Sequence, residues 1–372
     1  MSRSEHVGVL MTCVGGTLSS ELLRSLRTQS EVPLRLIGVD SDERVGADQL
    51  VEPFERVPPG SDPRFIPSLL DICTRYRIRV LIPGADEEVE AIADARSLFE
   101  ERGVFCIVPD AETVRMLRNK ARLMQALQRC NITVAAYQEV LTHDDVRQAA
   151  AVLGYPQEPF VLKPCAARGG RGALIVDARV RDNQGLLTNR EEMRLCLEDV
   201  CWLLRDAQRQ PLLAMAYLPG DAYDVDLLCD HGSVLCLSIR RRYNKRGIPF
   251  RGCVTERHEL IEQKVRAIAA ALHLHACLDI DMALSADGQP HVLEINPRLS
   301  GSVVGSIAAG MNVALEAIRM ALGLPIVGRV SQPGIETLPV TSVQVRRISQ
   351  TPPTVKQSQN APDYSVSTST RL

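Results

Sequence analysis

The chain is 372 residues long, and what it lacks narrows its class before any motif does. No apolar run approaches the ~18 residues that a membrane-spanning helix needs. Lys and Arg number 43 against 45 Asp and Glu, so no global field recruits nucleic acid or an anionic membrane. The eleven cysteines run from Cys13 to Cys277 with no C-x-x-C pair and an odd total, which argues against structural zinc and against a disulfide framework. They read as small core fillers in a reducing cytoplasm, and none is given a catalytic role. The opening "MSRSEHVGVLMTCVGG" has too short an apolar stretch for a secretory signal. The first glycine turn, Gly15 to Ser20, lacks the second and third glycines of G-x-G-x-x-G, so it reads as a scaffold turn rather than an NAD site. There is also no G-K-[ST] of the Walker type.

What remains is a soluble globular mixture, 45% hydrophobic and 24% charged, long enough for two or three domains. Up to residue 110, strand-like "VGVLMTC", "LRLIGVD", "RVLIPG" and "VFCIVP" alternate with helix-like segments. That rhythm predicts a Rossmann-like domain over 1–110, with a parallel sheet and Asp40 ending its second strand. Over 111–348 the pattern changes to α+β. A basic helix spans "ETVRMLRNKARLMQALQRC", and a second begins at a Thr142-x-x-Asp145 cap. Two strands flank a glycine loop in "FVLKPCAARGGRGALIV", and a helix is expected in "TNREEMRLCLEDVCWLLRDA". Farther on come the hairpin "YDVDLLCDHGSVLCLSIRRR" and the helix "ERHELIEQKVRAIAAALHL". The polar, Pro/Ser/Thr-rich 349–372 reads as a disordered tail.

The stretch "HVLEINPRLSGS" alternates Glu294 and Asn296 on one face of a strand, breaks at Pro297, and continues with Arg298. The preceding turn carries Asp287-Gly288, a two-residue hairpin signal. Counting outward from it sets Asp281 opposite Glu294 and Asp279 opposite Asn296. Opposed carboxylates repel at ~5 Å, and a bound divalent cation relieves them. Oxygen ligands from Asp281, Glu294 and Asn296 suit Mg²⁺. The bland alternative is a solvated polar face. Lys163 at a strand end, followed by Gly169, Gly170 and Gly172, offers a charge and open backbone N–H groups to a phosphate. The basic run "RRRYNKRGIPFR" contains Arg240, Arg241, Arg242, Lys245, Arg246 and Arg251 without an acid. One or more of these is expected to meet phosphate or a substrate carboxylate, with Arg240 a candidate catalytic residue.

In this order the pieces resemble the ATP-grasp superfamily of carboxylate–amine ligases, from about Ala111 to Pro325. The Rossmann-like domain looks like the one that precedes that fold. The chain is most similar to single-module relatives of the carbamoyl phosphate synthetase large subunit, and "LEINPRLSG" is the most specific element. The resemblance implies two α+β lobes, small (about 111–215) and large (about 216–348). It implies that Lys120 and Lys163 meet ATP under a flap at Gly169, Gly170 and Gly172, and that the backbone of Tyr217 and Leu218 meets adenine. Asp281, Glu294 and Asn296 would hold Mg²⁺, with Mn²⁺ as a substitute, and Arg298 would steady the transferring phosphoryl group. Two positions depart from the pattern. Met215 stands where a glutamate is usual, and Ala222 where an acid holds the ribose; Asp224 or Asp221 is expected to compensate. The implied reaction joins a carboxylate to an amine through an acyl phosphate, on small amino-acid-like substrates in the cytoplasm. Relatives are commonly homodimers. A nucleotide-binding protein without turnover and an NAD-dependent oxidoreductase remain as alternatives.

Overall fold

The computed structural model describes residues 6–16, 19–43, 45–166, 172–180, 193–205, 210–245 and 250–340, and three sheets organise them. The first sheet is parallel. Its order is Phe54–Arg56, Leu34–Asp40, Val7–Met11, Ile78–Ile82, Phe105–Cys106. Its strands are nearly all apolar because both faces are covered. Val9 and Met11 pack against Leu22, Leu23 and Leu26 of helix Ser19–Gln29. On the other face, Leu10 packs with Phe65, Leu69 and Ile72 of helix Phe65–Tyr76. The strand order reverses between Val7–Met11 and Ile78–Ile82, and there the C-terminal ends of the two strands approach very closely. A Cβ on Gly84 would lie 2.5 Å from the Thr12 carbonyl oxygen.

The second sheet holds Tyr137–Val140, Leu212–Ala216, Phe160–Pro164, Leu174–Val176 and Arg194–Leu195. The third is Pro290–Asn296, Ala276–Leu284, Ala222–Asp230, Ser233–Arg242, Cys253–Thr255 and Glu336–Thr337. Helix Val313–Ala321 lies over the third sheet and shares one apolar core with the Rossmann-like strands, joining Ala314 and Ile318 to Val9 and Val80.

The expected elements form, with three corrections. The single basic helix over 112–130 is two helices, Ala111–Leu117 and Lys120–Arg129. Asn119 breaks it: its side chain accepts from the N–H groups of Ala121 and Arg122, as an N-cap does. Lys120 is thereby moved from mid-helix to the first turn. Of the helix expected over 188–207, residues 188–192 and 206–207 lie outside the described residues, Arg194–Leu195 is a short strand, and the helix runs over Leu197–Leu204. The Asp287-Gly288 turn has three residues rather than two, since Ser285 pairs with Gln289 and Gly288 takes a φ of +78°. A bulge at Leu293 then shifts the register back, so Asp281 still faces Glu294 and Asp279 still faces Asn296. Two departures from the expected hairpin cancel at the acids.

The residues expected as a disordered tail lie outside the described part of the chain, as do Gly169, Gly170 and Arg246.

Gly84→Ala is expected to destabilise the protein by about 1–3 kcal/mol, the range of an over-packed site. A lowered urea midpoint with an unchanged slope would show it; an unchanged midpoint would mean the strand ends have room.

Candidate active site

Three adjacent strands of the third sheet place acids on one face. Asp224 pairs across to Asp281 and Asp281 to Glu294; one step along, Asp226 pairs to Asp279 and Asp279 to Asn296. Asp224, Asp226, Asp279 and Glu294 are buried and Asp281 is partly so, which requires paired cations. Lys120 Nζ lies 2.8 Å from Glu294 Oε2. Lys163 Nζ donates at 3.1 Å to the carbonyl of Leu293, the bulged residue, so the bulge exposes an acceptor that a regular ladder would use. Arg242 Nε donates to Asp224 Oδ1 at 2.5 Å, and its Nη2 is 2.5 Å from Asp281 Oδ1. Arg298 Nε donates to Asp86 Oδ1 at 2.9 Å, which ties the third sheet to the first domain.

Arg240 departs from expectation. It is 0% exposed, with Asp226 Oδ2 at 2.9 Å, Asp224 Oδ2 at 3.4 Å and the hydroxyl of Ser302 at 2.8 Å. Every direction of the guanidinium is taken by the sheet and by the loop after Arg298, so it acts as a strut and does not face the cleft. Its neighbour Arg242 lines the cleft instead. Asp224 likewise is covered by Arg242, Arg240 and Ser302 and does not line the cleft as a ribose partner. At Ala222 the wall carries Arg242 and Lys245.

The cleft runs between the second and third sheets. Val161, Ile175 and Met215 form one apolar wall and Leu293 the other, with Lys120, Lys163, Asp281 and Glu294 at its inner end. Tyr217 and Leu218 line it as expected, and Lys245 Nζ sits 5.3 Å from the centre of the Tyr217 ring. Gly172 has a φ of +74°, a left-handed value that suits glycine at the end of the loop.

Crowding controls the charge states. Burial, and after it the neighbouring carboxylates Asp279, Asp224 and Glu294, push Asp281 well up despite the pull of Arg242. Burial, then Asp224 and Asp226, raises Asp279 to about 7. Burial opposes ionisation of Glu294, yet Lys120 brings it below the usual range. Burial, aided by Lys120, lowers Lys163 to about 8.

A hard divalent cation fits this donor set. The convergent oxygens, within 4.8 Å, are those of Asp224, Asp279 and Asp281, not the full expected set of Asp281, Glu294 and Asn296. Glu294 is paired with Lys120, and the Asn296 amide donates to Asp279 Oδ2 at 3.2 Å. Oδ1 of Asp279 and of Asp226 are buried without a hydrogen-bond donor among the described residues. Sequence reasoning missed Asp226, Asp86 and the specific part of Arg242. Asp226 was legible, since it alternates with Asp224; Asp86 carried no signal near the motif. On the first domain, Asp40 accepts from the N–H of Gly15 at 2.8 Å and of Asp42 at 3.0 Å, so the acid that would hold a dinucleotide ribose serves the turn.

Residues 208–349 match the family described as ATP-grasp in the biosynthetic pathway with Ter operon, and residues 9–107 match the PylC-like N-terminal domain. The carbamoyl phosphate synthase large chain of Agathobacter rectalis is 24% identical over 245 residues, covering 63% of this chain and 21% of that one. The chain thus spans about a fifth of the length of the curated relatives it matches first. Among solved structures, an L-amino acid ligase from Bacillus licheniformis superposes with a TM-score of 0.62 at 17% identity, covering 86% of this chain and 75% of that one. N5-carboxyaminoimidazole synthetase from Staphylococcus aureus, complexed with ADP, superposes at 0.66 with 14% identity, covering 89% and 81%. The fold is ATP-grasp behind a Rossmann-like domain. The ATP-grasp family model matches the C-terminal part of the chain and the PylC-like model its N-terminal part, and the solved structures extend the likeness of fold over most of its length.

Lys163 generates a pH expectation. Its ammonium is the form that attracts phosphate, and it is protonated below about 8 and neutral above. ATP affinity is expected to fall as pH rises through 8, and Lys163→Met to weaken binding and flatten that fall. Calorimetric titration of ATP from pH 6.5 to 9.5 checks both.

Proposed function

We propose that the protein is an ATP-dependent ligase that joins a carboxylic acid to an amine through an acyl phosphate, on small amino-acid-like substrates. One observation carries the reading. Two lysines and the Asp281–Glu294 pair stand together at the inner end of a cleft whose walls are apolar. Such a cleft suits a nucleotide: a planar base between aliphatic side chains and a triphosphate at the charged end. The chain's similarity to carbamoyl phosphate synthases and to an L-amino acid ligase fold supports the same class.

Mg²⁺, held by Asp281, Glu294 and Asn296, would supply charge neutralisation at the phosphates. The chain's own groups do the rest. Lys120 and Lys163 orient the triphosphate and offset its charge. Arg298, fixed by Asp86 and by its own bond to the Leu299 carbonyl, would stabilise the γ-phosphoryl group in flight. The substrate carboxylate oxygen bonds to the γ-phosphorus, and the bond to ADP breaks with its electron pair leaving on ADP. An amine nitrogen then bonds to the acyl carbon, the C–O bond to phosphate breaks with its pair leaving on phosphate, and the nitrogen sheds a proton. Closure against water matters because an acyl phosphate hydrolyses once solvated.

A pooled screen of the twenty amino acids for ADP release tests this, with hydroxylamine added as a trap for acyl phosphate. ADP release that requires an acid, with hydroxamate formed alongside it, is expected. Glu294→Gln is expected to lower both by about a hundredfold or more, the scale for removing a group that stabilises transferring charge. Unchanged turnover in that variant would contradict the assignment. ATP-dependent thermal stabilisation with no ADP from any acid would favour a nucleotide-binding protein without turnover.

A further inference from the structure

One cleft adjoins the nucleotide cleft at Lys120 and Glu294, and a second, on the first domain, adjoins that one at Asp86. One is bordered by Arg118, Lys120, Glu294 and Asn296. The other lies at the C-terminal ends of strands Val7–Met11 and Ile78–Ile82, bordered by Thr12, Cys13, Gly84, Ala85 and by Arg298 to Ser300. In a doubly wound sheet, the place where the strand order reverses leaves a crevice that binds ligands. That place is here, and the loop carrying Arg298 closes its open side.

Asp86 lines both of these clefts, and it stands at the first turn of helix Asp86–Asp94. It is 6% exposed. Its Oδ1 is occupied by Arg298 at 2.9 Å, whereas its Oδ2 is buried with no hydrogen-bond donor among the described residues. A buried carboxylate oxygen without a donor costs on the order of 1–3 kcal/mol, so this oxygen has capacity for an N–H or O–H from outside the chain. The other polar groups at the crevice are already engaged. Thr12 Oγ1 donates to Glu88 at 2.6 Å and accepts from Gly84 N at 3.1 Å. Ser300 Oγ accepts from Arg240 and from Ser302 N.

We propose that the crevice at the strand-order reversal is the amine-substrate site, and that Asp86 Oδ2 is the acceptor that recognises the amine nitrogen. The inference rests on the ligase reading and adds to it the residue and the cleft that choose the nucleophile. The ligand class is a compact primary amine, amino acids included. A carboxylate would meet Asp86 as a like charge, so the acid substrate is assigned to the other side of Arg298. The same carboxylate fixes the arginine with one oxygen and the nucleophile with the other, bringing the amine beside the phosphoryl group that must leave.

The test separates the two half-reactions. Hydroxylamine reports acyl-phosphate formation without needing amine recognition; the acid and amine returned by the amino-acid screen report the full reaction. Asp86→Asn keeps an acceptor for Arg298 and changes the charge and donor pattern at the second oxygen. It is expected to raise KM for the amine about tenfold to a hundredfold, the worth of one hydrogen bond to a charged group. Because Asp86 also holds Arg298, the hydroxamate rate is expected to fall as well, but by much less than amide formation at a fixed amine concentration, while KM for the acid is not expected to rise. Ala85→Val adds bulk to the crevice at an extended backbone position, leaves Asp86 intact, and is expected to raise the same KM. An unchanged amine KM in both variants overturns the proposal, as does a rise in the acid KM instead. A hydroxamate rate falling in step with amide formation would mean that Asp86 acts only through Arg298. If the unaltered protein forms neither ADP nor hydroxamate with any amino acid, the ligase reading fails and this inference with it.

Discussion

Crowded negative charge is the constraint from which the rest of this structure follows. Asp224, Asp226, Asp279, Asp281 and Glu294 share one face of three neighbouring strands, nearly out of water. At ~5 Å and an effective dielectric near 20, each opposed pair costs about 3 kcal/mol. Such a face survives only with cations packed against it. Lys120, Arg240, Arg242 and Arg298 come from three different segments, the two middle ones from the end of strand Ser233–Arg242, and all contact these acids or their neighbour Asp86. The three acids whose ionisation burial opposes, Asp226, Asp279 and Asp281, show where that compensation is incomplete.

The cations differ in what they are free to do. Arg240 is sealed between the sheet and the loop after Arg298, and removing it would strip Asp226 of its cation and leave Asp224 with Arg242 alone. Arg242 and Lys120 touch the same acidic face from the cleft itself, where a nucleotide and its ion would meet them. Asp86 carries the electrostatics across to the Rossmann-like domain. The shared core around Ala314 and Val9 holds that domain against the third sheet, so the pair with Arg298 rests on packing. This division, with a fixed strut behind and exchangeable cations in front, allows one face to be both folded and receptive.

Much of the site was legible because its chemistry is periodic. Glu294 and Asn296 alternate, Asp279 and Asp281 alternate, and a count from the turn paired them. That the count succeeded was partly fortunate. The turn is one residue longer than the Asp-Gly signal implies, and the Leu293 bulge compensates. A bulge has no sequence mark here, although its exposed carbonyl is the partner of Lys163. Asn119 shows the opposite case: it is a familiar helix cap, outweighed by the helical pattern around it. Asp86 was invisible because its partner is 212 residues away, and only the packing of two domains brings them together. Arg240 was misjudged for the same reason. Its strand position was evident, but the loop that buries it was not.

The most direct test is a crystal grown with Mn²⁺ and a non-hydrolysable ATP analogue, with anomalous scattering used to locate the ion. The ion is expected against the oxygens of Asp281, Glu294 and Asn296, with Lys120 and Lys163 turned to the phosphates and Arg242 drawn off Asp281. Nucleotide in the cleft with no anomalous peak at those oxygens, and Arg242 still seated on Asp281, would contradict it.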